Sequence, residues 1–510
     1  VKGTKRAEKI LIRGVNWIGD AVITLPAIRA VRKAFPDARI SLLVKPWVSS
    51  LFKENPYIDE IILYDTGRLK LIKDLRERRF DVAILLQNAF DAALITWLAR
   101  IPRRIGYRRD FRGPLLTDAI SVGRAREKRH QVYYYLDLLE HIGIKAEDAQ
   151  PYLHLLYEER EKARETLKGA FGDDYKAPII GINPGATYGP AKRWPAERFA
   201  ELISRIINEL NGRIIIFGSP SEVELANEIV TSASRITHHA SHILNMAGET
   251  DLRELAAFIS ECDAFVTNDS GPMHMASALF VPTVAIFGST DPATTSPFGE
   301  GHMVVTKNLP CSPCLERECP EGHLRCMDEI TVNDVFNALK GLLPVNRAVF
   351  LDRDGTLIED KGYLNSFDRL HILPGVKEAL LRLKERGYML IGVTNQSGIA
   401  RGMVDESFIK ESNEYLMREL GIDDFYYCPH HPDEHCPCRK PEPMLILRAR
   451  LRHRINLKGS FVIGDKESDA MLARQVGAKG VLLSPNTPIP GTSATFITNH
   501  IKEAAEWIIN

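Results

Sequence analysis

Short apolar runs that end in Gly, Asn, Asp or Ser recur along the chain, each followed by a stretch of helical, charged character, and this rhythm constrains the fold more than any other feature. The first runs are Ile10-Leu11-Ile12, Ser41-Leu42-Leu43-Val44, Ile61-Ile62-Leu63 and Val82-Ala83-Ile84-Leu85-Leu86. After the charged stretch 158–169 the rhythm restarts at Pro178-Ile179-Ile180-Gly181 and continues through 213–217, 264–267 and 283–287. It restarts once more at Arg347, after a helical pattern over 332–343 and the linker Pro344-Val345-Asn346. Strands that are apolar end to end are buried on both faces, and strands separated by helices pair in parallel. The expected fold is α/β. Two Rossmann-like domains, 1–170 and 171–343, should face each other across a cleft, with a third sheet in 347–510.

A chain of 510 residues has room for that, at ~100–200 residues per domain. Its formal net charge of zero gives no overall basic field, so no nucleic-acid partner is expected. No run of ~18 uncharged apolar residues exists, so no transmembrane segment is expected. Lys9 and Arg13 interrupt the apolar residues behind the basic start, which argues against a signal-peptide core there. A cytoplasmic location follows as the expectation, with the eight cysteines as thiols or metal ligands.

Ligands of such sheets bind at the carboxyl ends of the strands. After 10–12 comes Gly14-Val15-Asn16-Trp17-Ile18-Gly19-Asp20, which leads into a helix. Asp20 there serves either as a helix cap or as a reactive carboxylate, and the segment alone leaves both open. After 179–182 comes Asn183-Pro184-Gly185-Ala186-Thr187-Tyr188-Gly189-Pro190-Ala191-Lys192. Glycines there let N–H groups approach an anion, Thr187 offers a hydroxyl, and Lys192 can neutralise a diphosphate; a plain loop with a solvated lysine is the alternative. Glu222 follows the next strand, where an acid can hold a ribose diol. Asn268-Asp269-Ser270-Gly271-Pro272-Met273-His274 forms another polar strand-to-helix turn.

These segments, with Arg193-Trp194-Pro195 and Ala247-Gly248-Glu249-Thr250, resemble the ADP-heptose:lipopolysaccharide heptosyltransferases (glycosyltransferase family 9, GT-B fold), most closely the heptosyltransferase II branch, over residues 9–340. The resemblance implies Asp20 as general base on an acceptor hydroxyl, with inversion at the donor's anomeric carbon. It implies Lys192 and Thr187 on the diphosphate, Glu222 near the ribose, and Asp269, Ser270, Gly271 and His274 around heptose and phosphates. No cofactor is implied for this transfer. The implied partners are ADP-heptose and a lipopolysaccharide inner-core acceptor at the inner membrane of a Gram-negative bacterium, where the enzyme could sit peripherally. The run Arg103-Arg104-Ile105-Gly106-Tyr107-Arg108-Arg109-Asp110-Phe111-Arg112 and a second basic run, 124–130, are either landing surfaces for that acidic acceptor or ordinary solvated faces. Cys311, Cys314, Cys319 and Cys326, with His323 among them, are either a second metal site or surface thiols.

Asp352-Arg353-Asp354-Gly355-Thr356 follows Ala348-Val349-Phe350-Leu351. Asp352 can attack phosphorus while Asp354 handles the leaving group's proton. Thr394-Asn395-Gln396-Ser397-Gly398 can bind phosphate, Arg439-Lys440 adds cationic charge, and Asp465 and Asp469 follow Phe461-Val462-Ile463-Gly464. This order has the layout of a haloacid-dehalogenase-type phosphatase. Mg²⁺ is expected on Asp352, Asp465 and the backbone carbonyl of Asp354. Cys428, His430, Cys436 and Cys438 supply three sulfurs and a nitrogen, which suit a structural Zn²⁺. Gly362-Tyr363-Leu364, 394–402 and Cys438-Arg439-Lys440-Pro441 resemble the D-glycero-D-manno-heptose-1,7-bisphosphate 7-phosphatases, which implies heptose bisphosphate as substrate. Pro443 stands where those relatives usually have glycine. The rival readings are a phosphatase for another small phosphate, such as histidinol phosphate, or one half kept only as a binding module.

Overall fold

A computed structural model describes residues 7–65, 67–123, 129–172, 177–237, 239–485 and 490–510. Residues 124–128 of the second basic run lie outside the described residues.

The described residues form three parallel six-stranded sheets. In spatial order the first holds Glu60–Leu63, Arg39–Val44, Lys9–Arg13, Val82–Leu85, Arg103–Tyr107 and Asp118–Ile120. The second runs Ile243–Asn245, Arg213–Ile216, Ile179–Asn183, Ala264–Asn268, Thr283–Ile286 and Met303–Val305. The third runs Asp424–Cys428, Tyr388–Asn395, Arg347–Leu351, Phe461–Gly464, Lys479–Leu483 and Phe496–Thr498. Counted within each sheet the order is the same, 3-2-1-4-5-6, the doubly wound arrangement. In each, the strand order reverses between the first and fourth strands, which pair in parallel, Ile10 with Val82, Ile180 with Ala264 and Val349 with Phe461. The crevice beyond that junction is where such sheets bind ligands.

The central strands are apolar because helices cover both faces. Every residue of Ile179–Asn183 and of Ala264–Asn268 is buried. The helix Ala196–Leu210 turns Phe199, Leu202, Ile203, Ile206 and Ile207 inward and closes on Asn211, whose left-handed φ of 51° ends it. Trp194 is 2% exposed, with its indole N–H on the carbonyl of Ile330 at 2.9 Å. Burying a side chain of that size contributes ~2–3 kcal/mol, provided its polar N–H is satisfied as it is here.

The chain divides into two compact units, Val1–Leu343 and Pro344–Asn510. Within the first, the short helix Ile18–Ile23 packs on Gly271–Ala278, so loops from two sheets meet. The helix Tyr157–Phe171 lies against Leu252–Ser260 and is fixed by Arg253 on Glu159 and Arg164 on Glu261 at 2.9 Å.

Within the run 103–112, Arg103, Arg104 and Arg112 are engaged inside the domain, whereas Arg108 and Arg109 are exposed. Arg103–Tyr107 is a strand of the first sheet, with Arg103 paired to Asp118 at 2.9 Å. Arg104 caps the carbonyls of Leu115 and Ile101, and Arg112 is fully buried on the carbonyls of Tyr107 and Gln87 and on Asn88. The guanidiniums of Arg104 and Arg112 are spent on carbonyls and hold the loop.

Candidate active sites

In the N-terminal unit the site forms where the first two sheets' switch-point loops converge. Gly19 and Gly271 make the approach possible. A Cβ on Gly19 would lie 2.7 Å from His274 Cδ2, and one on Gly271 would lie 3.0 Å from Ile18. Asp20 is the third residue of its helix, whose N-cap is Trp17, and no side-chain cap hydrogen bond is made there. The capping use is therefore not what holds Asp20. Its carboxyl is raised to about 6 by burial, with Lys192 pulling it down. It also helps to push up the buried Tyr135 phenol, after burial itself. A half-buried carboxylate poised near neutrality suits a general base.

Opposite it, Lys192 Nζ sits 2.5 Å from Asp269 Oδ2, which also accepts from the Thr290 hydroxyl at 2.7 Å. The Lys192 ammonium lies 4.5 Å from the centre of the Tyr188 ring. His274 is buried, its Nδ1 has no partner among the described residues, and burial holds it neutral with a value of about 4. Ser270 Oγ meets Thr267 Oγ1 at 3.0 Å and Asn183 Nδ2 at 3.3 Å, so it is fixed in place. Gly271 opens the helix with no side-chain cap, which leaves that N-terminus suited to an anion. Glu222 binds the Ser219 N–H and hydroxyl, both at 2.8 Å, and stands where a Cβ on Gly185 would overlap its carboxylate. Thr187 is exposed on the neighbouring turn, and its hydroxyl has no partner among the described residues. Tyr135 and His130, which contributes to lowering His274, come from the helix Gln131–Glu140 and its N-cap, and Thr290 from a loop of the second sheet; none lies in a motif that marks it as a site residue.

The C-terminal pocket is denser. The Asp352 N–H donates to the carbonyl of Ile463 at 2.9 Å, which sets it on the switch point. Asp352, Asp465 and Asp469 bring carboxylate oxygens close enough to share one cation. Lys440, fully buried, lies 2.6 Å from both Asp352 and Asp469 and 2.9 Å from the carbonyl of Val393. Burial and Asp352 raise Asp465 to about 7, and burial raises Asp469 to about 6 despite Lys440. Asp465 Oδ1 is buried without a hydrogen-bond partner among the described residues. Crowded carboxylates with an orphaned oxygen fit a hard divalent cation. Gly355 and Gly464 make the room: a Cβ would come 2.3 Å from Asp465 on the first and 2.2 Å from Asp469 on the second.

Asp354 points elsewhere, to Gln396 Nε2 at 2.8 Å, the Arg353 guanidinium at 3.1 Å and Thr394 Oγ1 at 3.5 Å. Asn395 does not offer its side chain to a phosphate. Its amide clamps the main chain of Lys440, at 3.0 and 3.2 Å, and so positions that lysine. Arg439 keeps one terminal nitrogen without a partner among the described residues. Asp469, one helical turn beyond Asp465, joins the carboxylate cluster that the sequence assigns to Asp352, Asp465 and the Asp354 carbonyl.

Cys428 Sγ lies 3.4 Å from Cys436 Sγ and 3.6 Å from His430 Nδ1; His430 Nδ1 lies 3.2 Å from Cys438 Sγ. Zn–S and Zn–N bonds of ~2.3 and ~2.0 Å require ligand separations of about 3.5–3.8 Å in a tetrahedron, so this set fits zinc. Pro443 adopts φ −86°, ψ −4°, a conformation open to proline, so the missing glycine costs the turn nothing. Cys311, Cys314, Cys319 and Cys326 line one cavity beside Ala191 and Ser289.

With this geometry in view, comparisons with known proteins divide at the same point of the chain. The profile of glycosyltransferase family 9 (heptosyltransferase) matches residues 68–325, and a HAD-hydrolase-like profile matches 437–487. Lipopolysaccharide heptosyltransferase 2 of Escherichia coli K12 is 34% identical over 349 residues, spanning 66% of this chain and 98% of the relative. The solved E. coli ADP-heptose lps heptosyltransferase II superposes with a TM-score of 0.56 at 33% identity, covering 66% of this chain and 98% of that one. D-glycero-beta-D-manno-heptose-1,7-bisphosphate 7-phosphatase of Helicobacter pylori J99 is 39% identical over 173 residues, 33% of this chain and 99% of the relative.

Proposed function

Since the chain belongs to the glycosyltransferase family 9 heptosyltransferases and carries a HAD-type heptose-bisphosphate phosphatase region after them, we propose that it performs both reactions, one in each unit. The N-terminal unit transfers heptose from ADP-heptose to the lipopolysaccharide inner core. Residues 1–170 take the acceptor and 171–343 the donor. Asp20 removes the acceptor hydroxyl's proton as the oxygen attacks the anomeric carbon and ADP leaves from the opposite face. Lys192 exchanges Asp269 for the diphosphate, and His274, Ser270 and the Gly271 N–H complete the anion site. Thr187 closes on the diphosphate from the exposed turn, and Glu222 meets the ribose. The transfer needs no metal.

The C-terminal unit hydrolyses the 7-phosphate of heptose 1,7-bisphosphate. Asp352 Oδ attacks phosphorus, the P–O7 bond breaks, and the departing alkoxide takes a proton from Asp354. Water then attacks the aspartyl-phosphate, giving its proton back to Asp354 and freeing Asp352 and inorganic phosphate. Thr394, Arg439 and Lys440 offset charge on the transferring group. Asp352, Asp465, Asp469 and the Asp354 carbonyl would hold Mg²⁺, which supplies charge neutralisation for phosphate and nucleophile together. Cys428, His430, Cys436 and Cys438 would hold a structural Zn²⁺ that pins the Arg439-Lys440 loop.

The observation that carries this reading is the buried cluster of Asp352, Asp465 and Asp469 around Lys440, in a chain whose other unit sets Asp20 against Lys192 and Asp269. Supplying purified protein with heptose 1,7-bisphosphate, and separately with ADP-heptose and a truncated lipopolysaccharide acceptor, tests it. Release of phosphate in the first and of ADP in the second is expected.

A further inference from the structure

The turn that leads to Asp20 also carries Trp17, which is 61% exposed, and Trp47, on the neighbouring loop, is 58% exposed. Trp17 follows the strand Lys9–Arg13 and Trp47 follows Arg39–Val44, and these strands pair in parallel. Both indoles therefore leave the carboxyl edge of the first sheet, beside the helix that holds Asp20. An indole left in water forgoes the stabilisation that burial gives to Trp194, so two on one edge call for an occupant.

The main chain beneath them is fixed. The Trp47 indole N–H donates to the carbonyl of Asn16 at 2.8 Å, which ties the two loops together. Asn16 is held in turn by the buried Arg13, whose guanidinium donates to the Asn16 side chain at 3.2 Å and to the carbonyls of Gly14 and Leu43. Trp17 caps Ile18–Ile23 in an extended conformation, and its carbonyl accepts the Ala21 N–H at 2.8 Å. The Lys45 ammonium lies 5.9 Å from the centre of the Trp47 ring and 3.7 Å from that of Tyr64, whose hydroxyl donates to Asp91 at 2.8 Å. An indole anchored through its N–H while its surface stays in water is built to be covered by a partner.

The surrounding groups identify that partner's chemistry. The C–H face of a pyranose ring is apolar and carries slightly positive hydrogens, which suit the negative face of an indole, while its hydroxyls stay hydrated at the rim. An acidic group on the same molecule meets the Lys45 ammonium. Asn16 and Lys45 interrupt the apolar surface, which suits a sugar better than an acyl chain. We infer that Trp17 and Trp47 form a shelf on which a sugar ring of the acidic acceptor stacks, with Lys45 beside it for that acceptor's negative charge. This deepens the reading of the N-terminal unit as a transferase with Asp20 as its base, and rests on it.

The test uses the full chain with a truncated lipopolysaccharide core freed of its acyl chains, so that only saccharide contacts are read. Trp17→Ala and Trp47→Ala should each raise the acceptor KM roughly 10-fold, the effect of removing an aromatic anchor, while ADP affinity by calorimetry and the KM for ADP-heptose stay within about twofold. Trp17→Phe, which keeps an aromatic face, should recover most of the loss. Lys45→Ala should raise the same KM by up to ~5-fold, the range of an exposed ion pair. An acceptor KM unmoved by both alanine substitutions overturns the shelf. So does a loss seen only with the acylated acceptor in vesicles of anionic phospholipid, which would assign the indoles to lipid. A parallel rise in the KM for ADP-heptose, or no recovery with Trp17→Phe, returns them to a structural role. A wild-type chain that releases no ADP with this acceptor fails the transferase reading instead. Calorimetry with the saccharide alone then decides the shelf: binding to wild type that Trp47→Ala loses keeps it, and no binding to wild type removes it.

Discussion

The two sites share one strand order and solve the problem of charge in opposite ways. In the C-terminal pocket Asp352, Asp465 and Asp469 crowd together from one sheet, and Lys440 lies against two of them, so acids outnumber the cations that touch them. In the N-terminal cleft the acids are separated: Asp269 is matched by Lys192 on one sheet, and Asp20 stands across from them on another. A crowded site attracts a cation and is complete once it has one. In the divided site burial raises the Asp20 carboxyl to about 6, and Lys192 is paired with Asp269. The comparison teaches that a switch-point crevice fixes where a site lies, while the distribution of carboxylates over it decides whether metal or proton chemistry follows.

Substitutions separate the two regimes. The largest effect is expected from Asp352→Asn, which removes the proposed nucleophile and should lower phosphate release by at least ~10⁴-fold in a steady-state assay. Asp20→Ala should lower heptosyl transfer by ~10²-fold or more, with ADP affinity nearly unchanged by titration calorimetry. The pH profile sharpens this. The base must be ionised, and its pKa is about 6, so wild-type kcat should fall as pH drops through that value. Asp20→Ala should lack that acid limb. A variant that keeps normal turnover and only melts earlier would return Asp20 to a structural role. Lys192→Ala should weaken ADP binding by ~10–100-fold, the range of a hydrogen bond to a charged group. The smallest effect concerns the Cys428 site: removing zinc from the full chain should reduce phosphate release roughly 10-fold by loosening the Arg439-Lys440 loop. Added Mg²⁺ should not restore it, since Mg²⁺ prefers oxygen ligands.

Much of this was legible in the sequence because it is local. Apolar runs ending in small or polar residues mark strands whose carboxyl ends carry function, and Asp20, Lys192, Asp269, Asp352 and Asp465 all follow such runs. What could not be read were roles set by partners far along the chain. Arg103 and Arg112 look like a basic surface until Asp118, Gln87 and Asn88 are placed beside them. Asn395 looks like a phosphate ligand until the main chain at Lys440, 45 residues on, occupies its amide. Tyr135 bears no mark at all; only burial beside Asp20 gives it a place in the cleft.

The central claim is that one chain holds two complete and independent active sites. It is tested most directly by measuring both reactions on the same preparations of wild type, Asp20→Ala and Asp352→Asn. The account predicts that wild type releases phosphate from heptose 1,7-bisphosphate and ADP from ADP-heptose with acceptor. Each substitution should abolish or cripple one rate and leave the other within about twofold, as expected for distant sites that share no partners. Loss of both rates on either single substitution, or a wild-type chain active in only one reaction, would contradict it.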